Sequence, residues 1–341
     1  MPSKEVTIYD IASALGVSAA TVSRGLKDHP SISLKTRTKI KSKADEMGYQ
    51  TNALASSLRT RRSQTLGVIV PRLNSNFMSS VLAGMEETAS EAGFHLIIMQ
   101  SFESKQKESE NARLLFHQQV DGILVSTTAP SEDTTHFQPF FDRDIPVVFF
   151  DRTPASSVPF HTVTINNKEA AREMTNHLIK QGCKKIMHIT GDNKISAYRE
   201  RKEGHLSALE EKGITTGNTF IRHSPLNVED GRKFANEILN MKDRPDAIFV
   251  ANDTCALTIV HHLRGNGIDI PDEIKMAGFN NDPFSALMVP TLTTINYPGT
   301  RTGREAVKNI LMQINKEVRG TSNIILEHEL IIRQSTQQTD H

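Results

Sequence analysis

Residues 6–26 read VTIYDIASALGVSAATVSRGL, and this stretch decides the fold of the N-terminal end. Thr7 can cap a first helix, with Asp10 at its third position completing a capping box. Ile8, Ile11, Ala12 and Leu15 recur at helical spacing and make one apolar face. Gly16 ends that helix in the way a left-handed glycine does. Ser18 caps a second helix running to about Leu26, with Val22 and Leu26 facing inward. Helix, glycine turn and capped helix describe a helix-turn-helix, whose second helix reads the major groove of DNA.

Working outward, a third helix is expected from Ser33 to Met47, with Ile40, Ala44 and Met47 buried and Lys35, Arg37, Lys39, Lys41 and Lys43 on the polar face. Gly48 stops it. Asn52 can cap a short helix from Ala53 to Arg59, and Thr60-Arg61-Arg62-Ser63-Gln64 reads as a polar linker. The expected division is a DNA-binding head over 1–51, a hinge over 52–64 and a body over 65–335. Charge follows the same boundary. Residues 1–63 hold eleven Lys/Arg and five Asp/Glu, a net of +6, whereas the remainder holds 29 and 34, a net of −5. A basic head on a mildly acidic body is the electrostatic footprint of a DNA-binding module attached to a domain that does not bind DNA.

From Thr65 the pattern changes to short apolar runs alternating with amphipathic stretches. Strands are expected at Leu66–Val70, Leu96–Met99, Gly122–Val125, Val147–Phe150, Ile186–Ile189, Ala247–Val250 and Met276–Phe279. Helices are expected near Phe77–Ala92, Lys105–Gln118, Lys168–Lys180, Arg201–Glu211, Asp230–Asn240 and Thr254–Arg264. This alternation predicts parallel sheets, and the body is long enough for two. Ligands of such sheets sit at the carboxyl ends of the strands. The fold class expected is therefore α/β, with an all-α head.

Several stretches are identified with one family. They are Thr7-Ile8-Tyr9-Asp10-Ile11-Ala12, Gly16-Val17-Ser18, Thr21-Val22-Ser23-Arg24, Gly48-Tyr49 and Asn52-Ala53-Leu54-Ala55-Ser56-Ser57-Leu58 at the front. In the body they are Thr65-Leu66-Gly67-Val68-Ile69-Val70-Pro71, Val120-Asp121-Gly122-Ile123, Pro146-Val147-Val148-Phe149-Phe150-Asp151-Arg152, Ala251-Asn252-Asp253 and Pro290-Thr291-Leu292-Thr293-Thr294-Ile295. With these the chain resembles the LacI family of bacterial transcription regulators over nearly its whole length. The resemblance implies a two-lobed body like a type I periplasmic sugar-binding protein. Lobe 1 is expected over about 65–164 and 296–324, lobe 2 over about 165–295 and 325–335, with crossings near Ile165, Ile295 and Ile324.

The resemblance also implies site residues. DNA contacts fall on Tyr9, Ser18, Ala19, Ala20, Thr21, Ser23, Arg24, Asn52, Leu58 and Arg59. Arg24 suits the bidentate contact to guanine, Thr21 and Ser23 suit bases or phosphates, and Ala19 and Ala20 offer only apolar contact. Gly25 is unusual late in a helix, at a cost of about 1 kcal/mol against alanine. Leu58 follows a small and polar segment with no core to join, and in the family this leucine wedges the minor groove at the central base step. Effector contacts fall on Ser75, Asn76, Phe77, Asp151, Ser196, Arg201, Asn252, Asp253 and Asn280, a mixture suited to a sugar or sugar acid. Asn280 departs from the aspartate of many relatives, and Met78 replaces a common second aromatic. A structural pairing of Asp151 with Arg152 competes with a ligand role for Asp151.

Other classes are weighed against this reading. The chain lacks a Walker A loop, a GxSxG elbow, an HExxH helix and a GxGxxG fingerprint, so no enzyme is expected. No cofactor or metal is expected either. Cys183 and Cys255 match no metal or redox spacing, and the adjacent pair His261-His262 would point to different faces of a helix. A solute-binding or enzymatic α/β protein with an incidental basic head is the alternative. No apolar run reaches the length of a membrane span and no signal peptide is evident, so a cytoplasmic, nucleoid-associated protein is expected. The expected partners are a palindromic operator, a sugar-like effector and a second copy of the chain. A dimer is expected rather than a tetramer, because Ser335 to His341 offers no apolar residue for a zipper.

Overall fold

The structure, a computed structural model, describes residues 6–49, 62–128, 133–154, 159–214, 220–317 and 320–337. The expected hinge helix, with Asn52, Leu58 and Arg59, lies outside the described residues. The chain divides into two compact units, at Ser63 and Gln64.

The first unit holds α1 (Ile8–Leu15), α2 (Ala19–Leu26) and α3 (Leu34–Glu46). Thr7 donates to the Asp10 carboxylate from its backbone N–H at 2.8 Å and from its hydroxyl at 2.6 Å, which fixes the entry of α1. Gly16 closes α1 at φ 65°, the left-handed conformation that favours glycine. Ser18 caps α2 by accepting the Thr21 N–H at 3.1 Å. Ile11, Ala12, Val22, Ile40 and Ala44 form the small core. Gly25 has a tertiary reason that propensity does not show. A Cβ there would lie 2.4 Å from the Ile40 Cδ1, so glycine lets α2 and α3 approach closely.

The second unit is built on two parallel sheets. The first has the order β11-β5-β4-β3-β1-β2, from β1 (Thr65–Val70), β2 (His95–Gln100), β3 (Gly122–Val125), β4 (Val147–Phe150), β5 (His161–Ile165) and β11 (Asn323–Leu326). The second has the order β7-β6-β8-β9, from β6 (Ile186–Thr190), β7 (Ile221–His223), β8 (Ala247–Val250) and β9 (Lys275–Ala277). β10 (Thr294–Asn296) and β12 (Glu329–Ile331) form an antiparallel pair beside them. The chain leaves the first sheet after Ile165, returns through β10, and leaves again after Leu326. β1, β3, β4, β6 and β8 are buried almost throughout, as strands covered on both faces must be.

Helices cover these faces. They are α4 (Asn76–Glu91), α5 (Lys105–His117), the short α6 (Gln138–Phe141), α7 (Asn167–Lys180), α8 (Ser196–Glu211), α9 (Val228–Asn240), α10 (Asp253–Gly265) and α11 (Gly299–Ile314). Three differences from the sequence reading matter. α11 is a full helix that apolar periodicity did not single out; it packs on α4, β3, β4 and β5. α8 starts at Ser196 rather than Arg201, which places Arg201 inside a helix. Ser335 and Thr336, read as polar tail, are fully buried. Ser335 exchanges backbone bonds with Thr291 and Met276, both at 2.9 Å, and Thr336 pairs with His177 at 2.8 Å.

Glycines set how closely the helices pack. A Cβ on Gly303 would lie 2.0 Å from the Val81 carbonyl oxygen, and one on Gly84 would lie 2.1 Å from that of Thr300. α4 and α11 therefore meet backbone to backbone, and no side-chain rotation can make room. Gly303→Ala is expected to destabilise the body by about 1–3 kcal/mol, the range for overpacking a close-packed interior. Thermal unfolding of the variant checks this; an unchanged midpoint would show that the helices can separate without cost.

Candidate functional site

The carboxyl ends of the two sheets carry most of the polar residues singled out in the body. On the first lobe, Asp151 and Arg152 follow β4 directly. Asp151 is held at φ 58°, a strained conformation for a residue with a Cβ. Its carboxylate accepts from the Ser126 hydroxyl at 3.3 Å. Burial raises its pKa, against the opposing pull of Arg152 and Arg201. Arg152 approaches Asp151 only at 3.9 Å and bonds Glu103 at 2.8 Å instead. Glu103 also pairs with Arg72 at 3.2 Å, so Asp151 and Arg152 are not a closed pair.

The second lobe answers with α8. Ser196, at its first position, accepts the Thr153 N–H at 3.0 Å. The Tyr198 hydroxyl receives Arg152 at 3.5 Å. Arg201, in its second turn, is 3% exposed while Arg199 is only part-buried, so Arg201 is the inward one. Its Nε donates to the Asn167 side chain at 3.0 Å and its Nη1 to the Ala251 carbonyl at 2.8 Å. The guanidinium lies 3.5 Å from the Phe279 ring centroid, a cation–π contact. Burial lowers its pKa, and Asp151 is among the groups that oppose the shift. Among the described residues no carboxylate lies within ion-pair distance of Arg201.

Phe77, near the start of α4, packs against Tyr297 with ring centroids 4.3 Å apart. Both line a cavity of about 390 Å³ with Asn76, Asn280 and Asn296. Asn76 bonds the Asp282 side chain, a contact between the lobes. Ser75 caps α4 at the Met78 N–H, 3.4 Å away. Asn252 caps α10 by accepting the Cys255 N–H at 2.9 Å, and its amide donates to the Leu226 carbonyl at 2.9 Å. Asp253 is wholly buried. One oxygen accepts from the Thr294 hydroxyl and the other from the Asp282 N–H, both at 2.7 Å. The structure thus brings Asp151 and Arg201 close enough for each to bear on the other's charge, sets Ser196 against the Thr153 N–H, and places Asn76, Phe77 and Asn280 on the wall of one cavity. Ser75, Asn252 and Asp253 spend their side chains on the backbone and on Thr294. Sequence reasoning missed Asn167, Tyr198, Phe279 and Tyr297; the two aromatics nearest Arg201 and Asn280 in the chain were the available signal.

On the head, Tyr9 is 72% exposed, and Ala20 and Arg24 on α2 are exposed beside part-buried Ala19, Thr21 and Ser23. The Ser18 and Thr21 hydroxyls pair at 2.9 Å. On α3, Lys41 bonds Asp28 at 2.6 Å, which holds that carboxyl below its usual range. Among the described residues, no group of three or more His, Cys, Asp and Glu could hold a metal. No described helix is long and apolar enough to cross a membrane.

A helix-turn-helix head on a two-sheet body with a polar cleft is the architecture of a ligand-controlled transcription regulator. Family models match both parts: bacterial regulatory proteins of the lacI family over residues 7–52, and periplasmic binding proteins and sugar binding domain of the LacI family over residues 63–334. The chain belongs to the LacI family. It is 33% identical to the NTD biosynthesis operon regulator NtdR of Bacillus subtilis (strain 168), over 97% of this chain and 99% of that protein. A structure of the transcriptional regulator CelR with cellobiose is 26% identical with a TM-score of 0.73, covering 97% of this chain and 100% of that one. The lac repressor dimer bound to operator and the anti-inducer ONPF shares the fold, with a TM-score of 0.88 at 24% identity over 98% of this chain and 100% of that one.

Burial pushes the Asp253 carboxyl up to about 7. An unfolded aspartate titrates near about 3.9, so the folded body binds more protons between these values. Stability is then fully present below the lower value and is lost as pH rises through the upper one, by at most about 4 kcal/mol. Asp253→Asn is expected to flatten the dependence of the melting temperature on pH across this window. Equal slopes for variant and native chain would contradict the assignment.

Proposed function

We propose that the chain is a homodimeric, effector-controlled repressor that binds a palindromic operator and takes a sugar or sugar derivative as its effector. It acts by binding rather than catalysis, in the cytoplasm and on the nucleoid. The observation that carries the effector reading is Arg201, a buried guanidinium with no ion partner among the described residues, facing Asp151 from the opposite lobe. A hydroxyl-rich ligand adds a further acceptor for the arginine and, beside Ser126, a second donor for the carboxylate. The Phe77 and Tyr297 rings supply an apolar wall beside them. Asp151, Ser196, Arg201, Phe77, Asn76 and Asn280 act directly in this proposal, whereas Ser75, Asn252 and Asp253 hold the loops that present them.

Thr21, Ser23 and Arg24 read the major groove, with Tyr9, Ser18, Ala19 and Ala20 around them. Asn52, Leu58 and Arg59 form the hinge, with Leu58 as the minor-groove wedge. Two heads on one dimer match two half-sites, because operator symmetry mirrors protein symmetry. Effector binding shifts the lobes and so the spacing of the hinges.

Two measurements test the proposal. Selection from random duplexes is expected to return a palindrome, and Arg24→Ala to lose about 1–3 kcal/mol of preference for it while keeping non-specific binding. A thermal-shift screen of sugars, sugar acids and sugar phosphates is expected to find a ligand whose affinity falls at least about tenfold in Arg201→Ala. A ligand bound equally by the variant would remove Arg201 from the site.

A further inference from the structure

Lobe 2 buries two imidazoles next to Arg201. His205 follows Arg201 by one helical turn on α8, and His188 lies on β6. Their ring centroids are 4.9 Å apart, and His188 stacks on Phe249 of β8 at 4.6 Å. Thr175 of α7 meets His205 from the other side. A Cβ on the adjacent Gly204 would lie 2.0 Å from the Lys168 carbonyl oxygen, so α7 and α8 meet backbone to backbone beside the cluster.

The hydrogen bonds require both rings to be neutral. The Thr175 hydroxyl has one hydrogen and gives it to the Ala171 carbonyl at 2.8 Å, so His205 Nδ1 donates to the Thr175 oxygen at 3.0 Å. His188 Nδ1 faces the Phe249 carbonyl at 3.0 Å and can only donate to it. A second proton on either ring would go to Nε2, and His188 Nε2 has no hydrogen-bond partner among the described residues. The charged and titratable groups that bear on His188 are His205 and Arg201 from α8 and His223 from β7; the contacts from α7 and β8 are the uncharged Thr175 and Phe249. Among the described residues no carboxylate lies within ion-pair distance of either ring. A proton there would be a buried cation close to the Arg201 charge, which a low-dielectric interior penalises. Burial pushes His205 down to about 3, and burial followed by the nearby His205 pushes His188 well below its ordinary value.

We propose that His188 and His205 are positioning residues that hold α8, and with it Arg201, only while both rings are neutral, so that acid frees the arginine from its place in the cleft. The link to an effector rests on the reading of Arg201 given above. When α8 parts from β6, both rings meet water and titrate near about 6.5. Opening then takes up a proton on each ring, and the closed form loses stability as pH falls through that value. Arg201 donates to Asn167 and to the Ala251 carbonyl from the same helix, so parting α8 breaks both bonds. The cleft thereby responds to protons through groups that no ligand touches.

Hydrogen exchange of the effector-free full chain, corrected for the intrinsic effect of pH, tests this whether or not Arg201 binds an effector. From about pH 7.5 to about pH 5.5 each imidazole raises the opening constant by up to about tenfold. Asp253 acts in the opposite sense over this range, so the native chain is compared with H188L/H205L, in which only the imidazoles differ. The protection of α8 is expected to fall at least about tenfold further in the native chain than in the double variant, with α4 of lobe 1 falling alike in both. Equal falls of α8 in the two proteins, or a native fall as large in α4 as in α8, would overturn the proposal. If the variant does not fold, nitrogen NMR of the native imidazoles decides. Two rings still neutral at about pH 5.5 are expected, and titration of every imidazole near about 6.5 in the folded chain would overturn the proposal.

Discussion

The body is arranged around a charge that it buries without an ion partner among the described residues. Arg201 is buried inside α8 against Phe279, and it donates to the Asn167 side chain and to the Ala251 carbonyl. Burying a guanidinium is costly unless it is hydrogen-bonded and paired. The surrounding elements therefore have to be held rigidly enough to keep it there. Asn167 stands just past the first crossing between the lobes, Ala251 at the end of β8, and Phe279 just before the loop that leads to the second crossing. One side chain touches each of the segments that a change in lobe angle would move.

A second layer of polar contacts keeps those segments in place. Asp253 joins α10 to β10 through Thr294 and to the following loop through the Asp282 backbone. Asp282 in turn meets Asn76 across the lobes. On the opposite flank Thr153 donates to Ser196 and Arg152 to Tyr198. The cleft is bounded on both sides by hydrogen bonds between lobes, each worth about 0.5–1.5 kcal/mol net, a scale that a small ligand can outweigh.

The head was almost fully legible because its signals are local. Capping by Thr7 and Ser18, the left-handed Gly16 and the apolar positions Ile11 and Val22 lie within one short stretch, and each acts over three or four residues. The central strands were legible for a related reason: Gly122–Val125, Val147–Phe150 and Ala247–Val250 are short, continuous apolar runs, as strands covered on both faces are. Four strands at edges and crossings, and the interior β5, were not, although the edge strands β2 and β9 were. β7, β10 and β12 are three residues long, and β11 alternates exposed and covered positions at a sheet edge, so neither run length nor periodicity marks them. α11 was not singled out although Ala306, Val307 and Ile310 give it an apolar stripe; Gly299 and Gly303 let its first half lie on α4.

The sequence by itself determined the helix-turn-helix, the change of pattern at the head–body boundary, the parallel α/β class and the residue types suited to a polar ligand. Each of these depends on neighbours a few residues apart. Only the tertiary structure decided which of these polar residues are taken up by other parts of the chain. Asn252, Asp253 and Arg201 read alike as cleft residues in the chain. Folding commits Asn252 to a helix cap and Asp253 to Thr294 and a backbone N–H, and gives Arg201 no ion partner among the described residues. The partners that make the difference come from segments tens of residues away, and a hydrogen-bonding side chain carries no mark of which distant group will take up its bonds.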